Sequence, residues 1–287
     1  MKAYKADLHL HTTASDGSDT PKELLEKVRA RGIDVISVTD HDTLFGSLVA
    51  MRLPNPGVKI ITGIEFSCHH YGECDFDCHI LGYGFDPESP ELIAAIEHGR
   101  KMRLAKLEAR LKYLKDHYDI SFADEDIEWL HVLNSVARPH LGKLLIKYGY
   151  VKEMSEAFDR YLKGGGFPDD RINSLEAVDA IRAAGGIPVY AHPIGGEREK
   201  RLTREEVTKR IDALIGEGLG GIECFYSRYS ESDEAMLLEI ALEKGLLVSG
   251  GSDYHGENKT VKLGALRSDE CEIEVDKISV LTAITER

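Results

Sequence analysis

The sequence predicts an α/β fold: a parallel sheet curled into an incomplete barrel of seven strands, interrupted by one helical insertion. Three observations carry this. Short apolar runs recur along the chain, helix-like segments alternate with them, and the alternation stops between about residues 90 and 162. Alternating strands and helices indicate a parallel sheet or barrel. Seven strands fall one short of the ordinary eight.

The runs are residues 6–10, 35–39, 59–63, 79–83, 187–191, 221–225 and 246–250, short and rich in β-branched residues as buried strands are. The first helix, 20–31, has a Thr20 cap, Pro21 at its first position and a stop at Gly32. A second, 174–184, starts on a Ser174 cap and ends at Gly185-Gly186. Segments 203–216 and 232–244 follow the same pattern, the latter stopping at Gly245. The insertion reads as helices at 91–116, 124–131, 138–148 and 154–161, with Gly164-Gly165-Gly166 as a flexible exit. The expected division is a barrel of residues 1–89 plus 163–287 and a helical cap of residues 90–162 covering the metal site.

A chain of 287 residues can bury a sizeable core, as one large domain or two modest ones. Its formal net charge of −14 argues against gripping long nucleic acid, where Lys and Arg must replace condensed counterions. It leaves room for a small phosphorylated substrate held through bound cations. No apolar leader precedes the first motif, and no run approaches the ~18 apolar residues of a membrane span. No membrane association and a cytoplasmic location are expected. Cys68, Cys74, Cys78, Cys224 and Cys271 are odd in number and unevenly spaced, so reduced thiols are the default. A zinc knuckle of Cys68, Cys74 and Cys78 with His69, His70 and His79 lacks any CxxC pair.

The chemistry sits at the ends of the strands. The run Asp7-Leu8-His9-Leu10-His11 places His9 and His11 on one strand face, so both reach one ion. Asp16 follows in the next loop, and Thr39-Asp40-His41-Asp42 ends the second strand. Glu65 ends the third, His79 opens the fourth, His192 ends a later one, and Asp253 with His255 ends the last. Each piece alone is weak, since an isolated HxH is usually a structural pair. Independent structural histidines have no reason to collect at strand ends along a whole chain, where parallel barrels build their active sites.

The blocks DLHLHTTASDG, TDHD, GIEFS, CHILGYG, AHP and GSDYH, in this order, resemble the PHP (polymerase and histidinol phosphatase) family of the amidohydrolase superfamily. The resemblance covers residues 5 to about 266 and implies a distorted (β/α)7 barrel, TIM-like, in agreement with the strand count. It implies two or three divalent metal ions: one held by His9, His11, Glu65 and Asp253, one shared through Glu65 with His79 and His192, and one held by Asp16, His41 and His255. In some relatives a histidine stands where Asp16 does. The harder oxygen favours manganese or iron over zinc. Bridging metals would supply a hydroxide that attacks phosphorus in line. Asp40 and Asp42 read either as partners orienting an imidazole or as plain loop acids.

The resemblance extends to the insertion. Arg138 is the expected phosphate clamp and His140 the expected proton donor to the leaving oxygen. The bland alternative for Arg138 is a surface salt bridge at a helix start. The basic run Arg100, Lys101, Arg103, Lys106, Arg110, Lys112 reads as a solvated helix face. Relatives that cleave nucleotide bisphosphates carry a Lys after the Gly-rich exit. This chain has Phe167-Pro168-Asp169-Asp170 there, so the expected cation for a second phosphate is missing, with Arg198 and Arg201 as substitutes. The expected function is metal-dependent hydrolysis of a small phosphate ester, either a phosphomonoester or a small cyclic diester. The alternatives are an oligonucleotidase on short chains, a C–N hydrolase, and a non-catalytic metal-binding module, against which the full ligand set argues.

Overall fold

The computed structural model describes residues 5–54, 57–163, 166–197, 199–272 and 274–286. Strands β1 (Ala6–Leu10), β2 (Val35–Val38) and β3 (Lys59–Ile61) form a three-stranded parallel sheet in that order. A second sheet contains β4 (Gly63–His70), β5 (Phe76–Tyr83), β6 (Ile172–Asn173), β7 (Ile187–Tyr190), β8 (Gly221–Tyr226) and β9 (Leu247–Gly251), in the order β6-β4-β5-β7-β8-β9. Bridges Leu10–Tyr254 and His41–Glu65 join the two sheets. At the first of these, Asp253 N donates to His9 O and His11 N to Tyr254 O, both at 2.9 Å. The exit of β9 is thereby fastened to the exit of β1.

Two strand expectations are corrected. The run at 59–63 divides into β3, which ends at Ile61, and β4, which opens at Gly63. The run at 79–83 is only the second half of β5, which pairs antiparallel with both β4 and β7. The second sheet is therefore mixed rather than wholly parallel. β4 is buried almost throughout, so its sequence carries no alternate-residue pattern to mark it. Its partner β5 opens on polar alternation that does not resemble the buried runs elsewhere.

The expected helices form close to their predicted bounds. α1 (Pro21–Arg31) carries a full Thr20–Glu23 capping box and ends on Gly32 at φ 66°. A short helix the sequence reading omitted, α2 (Phe45–Arg52), follows the β2 turn. The insertion holds α3 (Pro90–Tyr118), α4 (Asp124–Val132), α5 (Arg138–Lys147) and α6 (Met154–Ala157), the last running into a π-turn at Phe158–Leu162. α7 (Ser174–Ala183), α8 (Arg204–Glu217) and α9 (Glu231–Lys244) flank the remaining strands, with α10 (Ser279–Thr285) last. The cap residue of α7 is Asn173, not Ser174: its side chain accepts from Leu175 N at 2.9 Å.

Two hydrophobic groupings matter for the site. Leu8, Ile64, Phe66, Ile80, Val189 and Ile222 belong to the main core between the strands. Each such side chain stabilises the fold by ~1.5–3 kcal/mol on burial. Leu107, Leu114, Leu130, Leu141 and Leu145 form a separate core inside the insertion. α3 joins the two, because Leu92 and Ala95 near its start pack into the main core.

The basic run on α3 is corrected too. Arg100, Lys101 and Lys112 are exposed as expected, but Arg103 and Arg110 are each only 8% exposed, so the run is a solvated face only in part. Arg103 Nε donates to Asp42 Oδ2 at 2.7 Å, and its terminal nitrogens reach Ser67 Oγ at 2.8 Å and Val136 O at 3.2 Å. The pair ties the insertion to the loop after β2.

Gly251 is where β9 meets β1. A Cβ there would stand 2.2 Å from His9 Cβ and 2.4 Å from His9 N. Only glycine permits this approach. Gly251→Ala is expected to cost about 1–3 kcal/mol of stability through overpacking and to displace His9. Thermal unfolding and metal content, measured together, check both halves. A variant with unchanged melting temperature and full metal content would contradict this.

Candidate metal centre

Glu65 is the hub. It lies on β4 only 1% exposed, and imidazoles surround both of its oxygens. Oε2 faces His9 Nε2 at 3.3 Å, His11 Nε2 at 3.2 Å and His41 Nδ1 at 3.1 Å. Oε1 faces His79 Nδ1 at 2.9 Å and His192 Nε2 at 3.4 Å. His79 reaches it because β4 and β5 pair with Ser67 opposite His79, which puts Glu65 on the same sheet face one diagonal away. Asp253 Oδ1 comes within 3.6 Å of His9 Nε2 and 3.4 Å of His11 Nε2. Asp16 Oδ1 stands 3.1 Å from His255 Nε2 and 3.7 Å from His11 Nδ1. The nine predicted ligands thus converge.

They do so at some backbone cost. Asp42, His192 and Asp253 have φ of 52°, 32° and 58°. Such left-handed conformations cost of order 1–3 kcal/mol for residues other than glycine. Their collection around one centre marks a place where geometry outranks local stability.

Neighbouring groups fix the ligands. Asp7 accepts from Ser252 N at 2.8 Å, Ser252 Oγ at 2.6 Å and Gly264 N at 2.9 Å. It locks the β9 exit to β1. Asp40 accepts from Thr12 N at 2.7 Å and Ser15 Oγ at 2.6 Å, which shapes the loop that presents Asp16. Asp42 takes Ser67 N at 2.8 Å besides Arg103. Both acids are buried rather than solvated, and among the described residues neither hydrogen-bonds an imidazole directly, Asp40 reaching His11 only through Ser15 Oγ. Asp253 Oδ2 accepts from Tyr226 OH at 2.9 Å and Lys259 Nζ at 2.7 Å, leaving Oδ1 for the histidines.

The charges are strongly coupled. Burial alone would raise the Glu65 carboxyl, but His41, His9 and His79 hold it well below the usual range. Asp253 is likewise held low, against burial, by Lys259, His255 and His9. Burial pushes His41 well down, with His11 and His79 adding to it.

The residues fit divalent metal ions. His9 Nε2, His11 Nε2, His41 Nδ1, Glu65 Oε2 and His255 Nε2 are buried yet make no hydrogen bond. Five buried polar atoms without partners, all aimed at one centre, require an occupant. Three sets bring their donor atoms within 4.8 Å of one another: His9, His11 and Asp253; His41, Glu65 and His79; and His11, Asp16, His41 and His255. Mixed imidazole and carboxylate donors suit zinc, iron or manganese.

Comparison with known proteins decides the family. The model of the PHP domain matches residues 7–167. The chain belongs to the PHP family. This PHP chain is 33% identical over 257 residues to the phosphoribosyl 1,2-cyclic phosphate 1,2-diphosphodiesterase of Eggerthella lenta, covering 88% of this chain and 94% of the relative. It is 32% identical to the 3',5'-nucleoside bisphosphate phosphatase of Chromobacterium violaceum, covering 87% and 86%. It is 31% identical to a 5'-3' exoribonuclease of Haemophilus influenzae, covering 91% and 93%. In structure it is similar to a protein of Bifidobacterium adolescentis described as a metal-dependent phosphoesterase, with a TM-score of 0.80 at 28% identity over 99% and 96% of the two chains.

Above the PHP metal centre lies a cavity of about 470 Å³, walled by Asp16, His79, Asp253 and Lys259 below and by Arg138 and Phe158 from the insertion. The Arg138 guanidinium rests 5.2 Å over the Phe158 ring and forms no ion pair among the described residues. His140 departs from expectation. It is 5% exposed, its Nδ1 accepts Ala137 N at 3.0 Å at the start of α5, and its ring edge meets Trp129. Burial also lowers its pKa. It caps α5 and is not among the residues that wall this cavity, although the Ser15 backbone and Asp16 act on its ring. Arg201 pairs with Asp233 on the surface and is not a substitute cation. Arg198, with Gly164 and Gly165 of the exit, lies outside the described residues. The zinc-knuckle alternative dissolves, since His69 pairs with Asp77 and His70 with Glu217, both at 2.8 Å.

Two residues escaped the sequence reading. Lys259 sits in a loop with no motif signal. Glu223, on β8, is fully buried between two of the expected ligands, His9 and His192. Its Oε1 is 2.9 Å from His9 Nδ1, and its Oε2 accepts His192 N at 2.8 Å. A carboxylate on the far nitrogen of a ligating imidazole fixes its tautomer and basicity. An acid in the middle of the apolar run Gly221–Tyr226 was the one available signal. Glu223→Gln is expected to weaken metal affinity or activity about 10–100-fold. Metal titration followed by activity at saturating metal separates the two, and wild-type values in both would refute the assignment.

Proposed function

We propose that this protein is a metal-dependent phosphoesterase acting on a small phosphate ester, a phosphomonoester or small cyclic diester. The observation that carries this is the cluster of unpartnered buried imidazole and carboxylate atoms around Glu65. The similarity to a cyclic-phosphate diesterase and a bisphosphate phosphatase supports it. We read the two bridged sheets as one distorted seven-unit barrel, residues 1–89 plus 163–287, with residues 90–162 as its cap.

The ligand roles are the nine residues above, for two or three ions of manganese, iron or zinc. When bound, such ions acidify water to near-neutral pKa and neutralise phosphate oxygens. The protein's own part is orientation. Glu223 and Asp7 fix His9 and the β9 exit, and Lys259 and Tyr226 turn Asp253. Arg138 offers a guanidinium to a substrate oxygen. The cap limits the size of what enters. The five free cysteines suit a reducing, cytoplasmic setting, and among the described residues no helix is long and apolar enough to cross a membrane.

The similarity to an exoribonuclease favours one second reading, cleavage of nucleotides from short oligomers. A single screen separates them: manganese-loaded protein with an aryl phosphate, a nucleoside bisphosphate, a cyclic monophosphate and a short oligonucleotide. Release of phosphate or ring opening from the small esters is the expected result. Turnover of the oligomer alone selects the second reading, and turnover of none sinks both.

A further inference from the structure

Arg138 is the first residue of α5, and the segment just ahead of it, residues 133–137, has no regular structure. Irregular buried backbone must find hydrogen-bond partners outside itself. Val136 is 5% exposed, and its carbonyl accepts from Arg103 Nη1 at 3.2 Å. The rest of that guanidinium faces the barrel. Nε and Nη2 both donate to Asp42 Oδ2, and Nη2 donates to Ser67 Oγ at 2.8 Å. One planar, buried group thus grips the cap segment, the loop after β2 and β4 itself. The fixed fork of an arginine suits this task, whereas a lysine ammonium is a compact point charge on one stem.

Asp42 is in turn fastened to the strand that carries Glu65. Its N donates to Glu65 O at 2.9 Å, and its Oδ1 accepts from Ser67 N at 2.8 Å. Its backbone is held at φ 52°, a conformation that persists only where the surroundings over-determine it. Val136 and Glu65 are therefore connected through two side chains, those of Arg103 and Asp42. Arg138 enters the cavity wall only two residues beyond Val136. Its own side chain supplies no anchor of that kind: among the described residues it has no ion pair, and its guanidinium rests on the Phe158 ring.

We propose that Arg103 is a positioning residue for Arg138: by holding the Val136 carbonyl against Asp42, it sets where the Arg138 guanidinium stands above the metal centre. The inference rests on the phosphoesterase reading and on Arg138 as the ligand of a substrate oxygen. The competing role for Arg103 is neutralisation of the buried Asp42 carboxylate, which a lysine would also perform.

The test is a double-mutant cycle on manganese-loaded protein: wild type, Arg103→Lys, Arg138→Ala and the double variant. Arg103→Lys keeps a cation for Asp42 and loses the fork. It is expected to fold with wild-type metal content, yet to lower kcat/KM for an aryl phosphate about 10–100-fold. Arg138→Ala should lose a similar factor, about 10–100-fold, as for a hydrogen bond to a charged group. The double variant should lose little beyond Arg138→Ala, whereas independent residues would multiply their losses. Affinity for inorganic phosphate, measured by calorimetry on the same four proteins, should show the same coupling. Should Arg103→Lys fail to fold, Ser67→Ala removes one of the four hydrogen bonds and carries the cycle at smaller amplitude. Losses that multiply in either readout overturn the proposal. So does full activity in Arg103→Lys, which would leave Arg103 only the neutralisation of Asp42. If the wild type binds phosphate but hydrolyses nothing, the phosphoesterase reading fails and the phosphate affinities decide the positioning role. A wild type that neither binds nor hydrolyses overturns both.

Discussion

Glu65→Gln is expected to lower kcat/KM at least ~10³-fold, about 4 kcal/mol of transition-state stabilisation, while leaving the fold nearly intact. The amide has the shape of the carboxylate, so packing on β4 is preserved. It removes the charge that five imidazoles face within 3.4 Å. Metal ions held there would lose a carboxylate ligand and with it part of the charge that acidifies their water. The amide nitrogen would also point a donor at a histidine or an ion. Elemental metal content, steady-state kinetics and circular dichroism on one preparation check the result. An active, fully metallated Glu65→Gln protein would exclude Glu65 as a metal ligand.

The second expectation concerns metal loading and its pH dependence. In the metal-free protein, burial disfavours the charged form of His11, but Asp253 and Glu65 beside it prevail and push its pKa up to about 9. The folded value lies above the unfolded value near 6.5. This proton therefore stabilises the metal-free fold fully below about pH 6.5, and the contribution is lost as pH rises through about 9. Metal binding runs the other way. The ion must displace the proton, so affinity rises with pH by up to ~tenfold per unit for each proton released. Manganese at about 100 times its Kd should stabilise the protein by roughly 2.7 kcal/mol, or about 5–10 °C in Tm. At one fixed manganese concentration the increment should be larger at pH 8.5 than at pH 6.5, because Kd falls as the proton is released. Chelation should reverse it and abolish hydrolysis. Differential scanning calorimetry at the two pH values is the measurement, and an equal or smaller increment at the higher pH would contradict this assignment of the proton.

Much of the site was legible because metal ligation demands particular side chains, and these stand out in apolar strand ends. His9, His11 and Glu65 are each set by the strand that carries them, and the strand's own residues announce it. Glu223 was not legible: nothing in the run Gly221–Tyr226 says that its acid meets His9 from the other end of the chain. The basic run on α3 was misread in part, at Arg103 and Arg110, for a related reason. Its spacing resembles a solvated face, but whether a helix face meets solvent depends on what packs over it. Asp42, Asp170 and Phe167 come from distant segments and enclose it.

The sequence by itself determined the α/β class, the alternating elements, the helical insertion and the nine His, Asp and Glu side chains that converge around Glu65. Each depends on local propensity, on capping residues or on donor chemistry, all written within a few residues. Only the tertiary structure decided that β5 runs antiparallel, that His140 caps a helix, and that Arg110 lies buried without an ion-pair partner among the described residues. Those outcomes depend on pairing, enclosure and charge matching between segments far apart in the chain, and no local pattern encodes them.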